Sequence, residues 1–398
     1  MSGLEMRLEI PLVFRLAIAQ SALILMLLTN PSYPMFGQSE FIPPESRREE
    51  VAEELHGVRI VDPYRWLEDG KSPETRAWIK AQNEYTRSVL SQIPGHEKIK
   101  ARISELARID SIGTPVERGG RYFFSKRLSD EELSKIYFRE TLTGEDILLL
   151  DPFTFAEDGS VSVGLEAISK DGKLVAYYLR KFGADEVDIH LMNVDTRQEL
   201  PEKFLQMRYA EMYITPNNTG IYYTNQTNAG PRVYFHKMGT DPAQDELIFG
   251  QEYGPEQFIS IYLTEDGKYL LISVGDGWVQ NELYLMTIEG TRTLNAIVTK
   301  ISAVFIGYIG GDNLFILTNY NAPKWRVLAT SLSTPEMENW REIIPESDDP
   351  ISSLSLAGGK LFCVYLHNAT SYLRAFDADG NFLYDVPLPS IGSVSAMT

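Results

Sequence analysis

Short apolar runs separated by turn signals dominate the chain beyond residue 110. The clearest stretch is residues 261–298, which contains IYLTEDGKYLLIS, then NELYLMTIEG, then RTLNAIV. Its apolar run at 269–272 has no polar face and is too short for a typical helix, so it predicts a strand buried on both faces. The adjoining Asp266-Gly267 pair predicts a tight hairpin, because glycine adopts a positive φ without steric cost. We interpret the whole stretch as four antiparallel strands.

The same arrangement recurs along the chain. A turn glycine appears six times, at successive spacings of 52, 48, 47, 44 and 48 residues. These glycines are Gly120, Gly172, Gly220, Gly267, Gly311 and Gly359. A third strand begins 13–17 residues after each glycine, and a fourth closes each repeat. Since one four-stranded sheet cannot bury both of its faces, the repeats predict an all-β fold, a β-propeller of about six blades, rather than a β-sandwich with turns every ~8–12 residues.

Residues 39–110 have a different pattern, which we interpret as a short helical segment before the propeller of residues 111–398. The charged stretch 46–57 predicts one or two helical turns. Ser72 followed by Pro73 and Glu74 is a helix start signal, since it combines an N-cap acceptor, a fixed φ and a negative charge in the first turn. The predicted helices place large apolar side chains on their surfaces, including Trp78, Tyr85, Ile99, Ile103 and Leu106.

Residues 1–38 are expected to be a signal peptide and linker. Arg7 and Arg15 precede an apolar run at 16–28, and small and polar residues follow it. This pattern is typical of a secretory signal peptide, and the run is shorter than the ~20 residues that a membrane span requires. We therefore expect a secreted or periplasmic protein with no membrane attachment after cleavage.

Charge and composition exclude several function classes. The 398 residues carry a net charge of −18 and show no basic stripe, so nucleic acid is a poor candidate partner. The single cysteine, Cys363, lies in an apolar strand and is interpreted as a small buried hydrophobe. The five histidines are scattered without metal-ligand spacing. We predict neither a metal site nor a cofactor.

The N-terminal segment carries a specific resemblance. Residues 55–69, LHGVRIVDPYRWLED, are followed by WIKAQN at 78–83. Together they resemble the N-terminal segment of the prolyl oligopeptidase family of serine peptidases, and the similarity continues through the repeats as far as LFCVYLHN at 361–368. The resemblance implies a seven-bladed propeller that caps an α/β-hydrolase domain with a Ser-Asp-His triad, and N-terminal helices that pack on that domain.

The sequence departs from this pattern at its C-terminal end. After the sixth repeat there follows SIGSVSAMT at 390–398, which we interpret as the first strand of a truncated seventh blade. No G-x-S-x-G motif occurs in the 398 residues, so no catalytic residue is named. We therefore expect the N-terminal portion of a peptidase, truncated or split, without its catalytic domain. The expected partner is an α/β-hydrolase peptidase domain, which a separate chain could supply, and proline-containing peptides would be substrates only with that domain present.

The resemblance also implies site residues in the propeller and the helices. Tyr209, shortly after the second-repeat ELP turn, and Phe249, in the fourth strand of the third repeat, match substrate-contacting positions of the family. Both are also compatible with ordinary blade packing, as aromatics at such positions usually are. The positions expected to face the hydrolase domain are Asp185, Trp66, Trp78 and Tyr85.

Two other functions stay open at this level. One is a stand-alone propeller that binds proteins or peptides. Another is a propeller enzyme whose carboxylates converge in the channel from several blades, which residue spacing neither shows nor excludes. The helices of residues 46–108 favour the peptidase interpretation, because a free-standing binding propeller has no use for them.

The first prediction concerns activity. Because the chain offers no recognisable nucleophile–base pair, purified residues 39–398 should not hydrolyse a chromogenic Gly-Pro substrate. Release of the chromophore is followed after extensive purification. Turnover that persists and is blocked by a serine-directed organophosphate would contradict the expectation.

Overall fold

The computed structural model describes residues 42–394, so the predicted signal peptide of residues 1–38 lies outside the described residues. The chain divides between Ala107 and Arg108 into two compact units. Between residues 42 and 394 there is no helix long and apolar enough to cross a membrane.

The first unit combines a hairpin with two helices. The hairpin pairs β1 (Ala52–Leu55) with β2 (Val58–Val61), and the helices are α1 (Pro73–Ser91) and α2 (His96–Ala107). The predicted start of α1 is confirmed, since the Ser72 Oγ accepts a hydrogen bond from the Thr75 N–H at 3.1 Å.

The helix expected over residues 46–57 is wrong, because residues 52–61 form this hairpin. His56 and Gly57 have positive φ values of 50° and 77°, which close a two-residue turn between the strands. Glycine tolerates this conformation freely, and histidine is one of the few other residues that adopts it at moderate cost. The turn chemistry therefore overrides the helical preference of the glutamates in this stretch.

Two tryptophans, Trp66 and Trp78, bind the chain segment at residues 46–47 through their indole N–H groups. The Trp66 Nε1–H donates to the Arg47 carbonyl at 2.9 Å, and the Trp78 Nε1–H donates to the Ser46 Oγ at 2.8 Å. The two indole rings meet edge to face with their centroids 6.4 Å apart. Both side chains are half-buried, so most of their polar and apolar surface is used within the first unit.

The second unit is a propeller of six antiparallel sheets, and the predicted fold class is confirmed. Blades 1 to 3 consist of β3 (Ser111–Ile112), β4 (Val116–Arg118), β5 (Arg121–Arg127), β6 (Lys135–Arg139), β7 (Ile147–Leu150); β8 (Val161–Ile168), β9 (Leu174–Lys181), β10 (Glu186–Asn193), β11 (Glu199–Arg208); and β12 (Met212–Ile214), β13 (Gly220–Thr227), β14 (Gly230–Lys237), β15 (Glu246–Phe249). Blades 4 to 6 consist of β16 (Gln257–Leu263), β17 (Tyr269–Asp276), β18 (Gln280–Thr287), β19 (Thr293–Val298); β20 (Phe305–Gly310), β21 (Asn313–Thr318), β22 (Arg326–Ser331), β23 (Arg341–Ile344); and β24 (Ile351–Ala357), β25 (Lys360–His367), β26 (Thr370–Phe376), β27 (Phe382–Val386). Short 3-10 turns occur at Arg65–Glu68, Pro152–Thr154, Pro242–Gln244 and Met337–Asn339.

Five of the six predicted turn glycines have a positive φ, and Gly220 does not. Gly220 begins β13, and Asn218 takes the left-handed turn position with φ 58°. Asparagine adopts this conformation because its short polar side chain can bond locally. Gly220 is needed for a different reason, since a Cβ there would lie 2.5 Å from the Phe235 ring.

Apolar cores lie between consecutive blades. Each of five clusters of buried side chains draws residues from two neighbouring sheets. Cys363 belongs to the cluster of blades 5 and 6, where burial raises the pKa of its thiol to about 12. Among residues 42–394, no such cluster joins blade 6 to blade 1. Residues 390–394 form no strand, and the last four residues of the predicted seventh-blade strand lie outside the described range.

Three hydrogen-bonded side chains, His236, Asp245 and Tyr223, connect adjacent strands in the interior of blade 3. His236 is fully buried, and its Nδ1 lies 2.7 Å from Asp245 Oδ1. The Tyr223 hydroxyl donates to the other oxygen of Asp245 at 2.9 Å. The imidazole also meets the Phe204 ring of blade 2 edge to face, at a centroid distance of 5.2 Å. One carboxylate therefore satisfies two buried groups on adjacent strands.

The second prediction concerns this carboxylate. Asp245→Ala leaves a buried imidazole and a buried hydroxyl without their partner, so the free energy of unfolding should fall by about 2–5 kcal/mol. Urea denaturation measures the change. The matched control is Asp379→Ala, which removes an ion pair whose aspartate side chain is 74% exposed, and it should cost at most about 1 kcal/mol. If the two variants lose the same free energy of unfolding, the buried hydrogen bonds of Asp245 do not stabilise the protein.

Candidate functional site

A cavity of about 360 Å³ lies along the first strands of blades 1 to 4. We call it the inner-strand cavity. Its walls come from β4, β8, β12 and β16 and from the turns that follow them, so it belongs entirely to the propeller. The blades of a propeller surround a central channel.

Glu166 enters the inner-strand cavity because of a β-bulge. Along β8 the pairing with β9 shifts between Leu165, opposite Tyr177, and Ala167, opposite Ala176, which leaves Glu166 as the extra residue. A bulge of this type re-aims the side chain that it carries. The Glu166 carboxylate accepts a hydrogen bond from the Met212 backbone N–H of blade 3.

Glu211 lies beside Glu166 and connects blades 3 and 4. It immediately precedes β12, and its Oε2 accepts a hydrogen bond from the Ile261 backbone N–H at 2.7 Å. The Ser260 hydroxyl is a further partner of the same carboxylate. These bonds hold the Glu211 side chain against the neighbouring blade, so its position is set by blade packing rather than by its own strand.

Ionisation of Glu166 is opposed both by burial and by the neighbouring Glu211 carboxylate. Burial, reinforced by the Glu211 charge, raises the pKa of Glu166 to about 7, against the opposing hydrogen bond from Met212. Burial also raises the pKa of Glu211, against its bonds from Ile261 and Ser260. Within residues 42–394 no lysine, arginine or histidine nitrogen lies within 4.0 Å of either carboxylate. The pair therefore lacks a cationic partner in this part of the chain.

The two cationic side chains at the rim of the inner-strand cavity, Arg118 and Lys170, both contact Glu265. Arg118 Nη2 lies 3.3 Å from Glu265 Oε1, and the Lys170 ammonium donates to the Glu265 carbonyl at 2.9 Å. The aromatic part of the wall is a pair of tyrosines, Tyr213 and Tyr262, whose rings meet edge to face at 6.0 Å. Burial and nearby carboxylates raise the pKa of Tyr213 to about 12, so its hydroxyl stays neutral at physiological pH.

This arrangement suits ligand binding better than metal binding. Two carboxylates face an open space next to aromatic and apolar walls, which can hold a small cation or share a proton. Across residues 42–394 no group of three or more histidine, cysteine, aspartate or glutamate side chains could hold a metal ion. Neither Glu166 nor Glu211 was predicted as a site residue, and the available signal was a charged residue inside the mostly apolar strand VSVGLEAI.

Comparison with known proteins decides the family. Residues 43–398 match the model of the prolyl oligopeptidase N-terminal β-propeller domain. The chain belongs to this family. Its relatives include the prolyl endopeptidases of Elizabethkingia meningoseptica, 29% identical over 364 residues, and of Elizabethkingia miricola, 30% identical over 362 residues. Each alignment covers 88% of this chain and 51% of the relative, so the chain spans about half the length of the curated relatives it matches.

Solved structures agree with the assignment to the prolyl oligopeptidase propeller family. One, from a structural and mechanistic analysis of two prolyl endopeptidases, superposes with a TM-score of 0.81 at 34% identity. The superposition covers 88% of this chain and 53% of the solved prolyl endopeptidase chain. Prolyl oligopeptidase B from Galerina marginata, bound to a 35mer hydrolysis and macrocyclization substrate, has a TM-score of 0.74 at 21% identity and supports the fold alone, with 88% of this chain and 54% of that one covered.

The positions implied by the prolyl oligopeptidase resemblance fall in different environments. Tyr209 is 56% exposed, and its ring meets Phe258 of blade 4 edge to face at 5.9 Å. Asp185 is exposed in the turn between β9 and β10. Phe249 is only 6% exposed and packs against Tyr284 at 5.1 Å in the core between blades 3 and 4. Tyr209 and Asp185 are therefore accessible to a ligand, whereas the Phe249 ring is used in packing.

The implied interdomain residues of the first unit are half-buried. Trp66 and Trp78 hold each other and residues 46–47, as described above, and Tyr85 lies further along α1. Exposed apolar side chains of this unit lie on the β1–β2 hairpin, where Val58 is 61% exposed, and on α2, where Ile99, Ile103 and Leu106 are 62%, 60% and 57% exposed. The substrate and interdomain roles of all these side chains stay predictions.

The third prediction follows from the pKa of Glu166. The folded state holds this proton more tightly than the unfolded chain, whose glutamate titrates near 4.5, so the free energy of unfolding decreases as pH rises from about 4.5 to about 7. Glu166→Gln removes this loss, and the variant should be more stable than the parent by roughly 1–3 kcal/mol at pH 8 and equal to it near pH 4.5. Urea denaturation across this pH range gives the difference.

The control for this series is Glu157→Gln, at an exposed position before β8. It should leave the pH dependence of unfolding unchanged. If Glu166→Gln also leaves it unchanged, the Glu166 carboxyl is ionised in the folded protein at neutral pH and the environment described above is wrong.

Proposed function

We propose that this chain is the propeller portion of a prolyl oligopeptidase-type serine endopeptidase, in which the propeller governs the access of peptides to an α/β-hydrolase domain. The observation that carries the proposal is the match of residues 43–398 to the N-terminal propeller of this family, together with relatives that are prolyl endopeptidases. The hydrolase domain is the proposed partner, within a longer chain or as a separate one.

The proposal assigns substrate contact first to Tyr209. Its ring is exposed, it is supported by Phe258, and the Arg208 guanidinium lies 5.7 Å from the ring centroid. An exposed aromatic side chain supported from below is well suited to pack against proline rings. Phe249 contributes indirectly, by packing in the blade 3–4 core, and its direct contact with a peptide would require a side-chain movement.

Interdomain contact is assigned to Asp185 in the propeller and to the first unit. In the first unit, Trp66, Trp78 and Tyr85 are half-buried, and Ile99, Ile103 and Leu106 of α2 supply exposed apolar area. Burial of each of these three α2 side chains contributes a free energy of about 1.5–3 kcal/mol, so contact with a partner domain would stabilise this surface. The signal-like sequence of residues 1–38 supports export of the protein to the periplasm or the exterior.

The fourth prediction tests this function in a chimera. Residues 42–398 replace the corresponding propeller half of the Elizabethkingia meningoseptica prolyl endopeptidase, and cleavage of a proline-containing peptide is followed. The chimera should be active, and Tyr209→Ala should raise KM roughly 5- to 30-fold with kcat little changed, because a contact common to bound substrate and transition state is lost. Tyr384→Ala, at a 46% exposed tyrosine on β27, is the matched control.

A folded chimera that fails to cleave would contradict the peptidase assignment. If such a chimera still binds peptide, a stand-alone binding propeller becomes the better interpretation. A Tyr209→Ala effect no larger than that of Tyr384→Ala would remove Tyr209 from the substrate path and leave the peptidase assignment intact.

A further inference from the structure

We propose that the inner-strand cavity binds a protonated primary amine carried on an apolar body, with Glu166 and Glu211 as its counter-ions. A peptide amino terminus and a lysine side chain share this chemistry. The inference rests on the proposed function only for the choice of a peptide as the carrier of the amine. The amine site itself is argued from the cavity.

The first argument is the unsatisfied charge. Glu166 and Glu211 come from adjacent blades and face the same space, and neither has an ion-pair partner within residues 42–394. Their known partners are two backbone N–H groups and the Ser260 hydroxyl. A half-buried carboxylate pair of this kind is stabilised by any cation that enters, because the cation offsets both desolvation and mutual repulsion.

The second argument is the shape and lining of the cavity. Its volume of about 360 Å³ falls at the lower end of the ~300–1,000 Å³ range of small-molecule sites, so an ammonium group leaves room for one or two residues of a peptide. Leu165 and Met212 supply apolar surface beside the carboxylates. Tyr213 and Tyr262 supply aromatic surface, which attracts a cation through the ring quadrupole.

An ammonium fits the carboxylate pair better than the other cations considered. The chain's own cations at the rim, Arg118 and Lys170, are both bound to Glu265 and do not reach the carboxylate pair within ion-pair distance. An ammonium offers three donors, which two carboxylates on neighbouring blades can accept from different directions. A calcium ion takes about six to eight oxygen ligands, which is more than this carboxylate pair supplies.

Binding should depend on pH in a way that identifies the groups. The titratable and charged groups facing Glu166 are Glu211, Tyr213, Tyr262, Glu265, Arg118 and Lys170. Burial raises the pKa of Glu166 to about 7 and also raises the pKa of Glu211, so amine affinity should fall as pH decreases from 8 to 5.5 and these carboxylates take up protons. A peptide α-ammonium loses its proton above about pH 8, whereas a lysine ammonium keeps it to about pH 10.

Isothermal titration calorimetry of the purified chain tests this proposal. Three proline-containing peptides are used, which differ only at the amino terminus and in the presence of one lysine. The first has a free amino terminus and no lysine, the second is N-acetylated without lysine, and the third is N-acetylated with one lysine. At pH 7.5 the first should bind roughly 10-fold tighter than the second, as expected for one partly buried ion pair. Glu166→Gln and Glu211→Gln should each reduce this ratio to about 2 or less, and Glu157→Gln should retain it.

The outcomes separate this inference from the proposed function. Tight binding of the third peptide supports the amine site and adds lysine as a source, whereas its weak binding supports the site and restricts it to the amino terminus. Equal affinities of the first and second peptides, or a ratio that survives both glutamine substitutions, overturn the inference. Absence of binding by all three also overturns it, while the chimera, which is read out by hydrolysis, decides the proposed function independently.

Discussion

The packing of each blade against its neighbours is the interaction on which the rest of the propeller depends. In β17 the side chains of Leu270 and Ile272 enter the core shared with blade 3, while Leu271 between them enters the core shared with blade 5. Each such burial is worth about 1.5–3 kcal/mol, and no single sheet can obtain it on both faces alone. Neighbouring blades therefore stabilise one another, and the sheets are stable only as an array.

This packing leaves a few positions at the first strands outside the interblade cores. Glu166 and Glu211 are two of them, since neither side chain belongs to a core cluster. Their geometry derives from the array: the bulge of β8 aims one carboxylate, and the Ile261 N–H of blade 4 holds the other. The electrostatic environment of the inner-strand cavity is thus a property of three blades together, and a change in blade packing would alter it.

The same packing separates two aromatic residues that the sequence treats alike. Tyr209 directly follows β11 and Phe249 ends β15, and the family resemblance predicts substrate contact for both. Phe249 alternates into the blade 3–4 core, whereas Tyr209, with a positive φ of 47°, leaves the strand and exposes its ring. A left-handed residue at a strand end turns the side chain away from the sheet face, which residue type alone does not reveal.

What the sequence by itself determined is local: the spacing of turn glycines, the apolar runs and the Ser72 cap act over a few residues, and they predicted the six blades and the start of α1. Local reasoning failed where turn chemistry competed with strand or helix preference, at His56-Gly57 and at Asn218. Only the tertiary structure brought together Glu166 and Glu211, which lie 45 positions apart on different blades. Their proximity comes from a one-residue shift in strand register and from the contact of three sheets, and no pattern within either strand encodes such a distance.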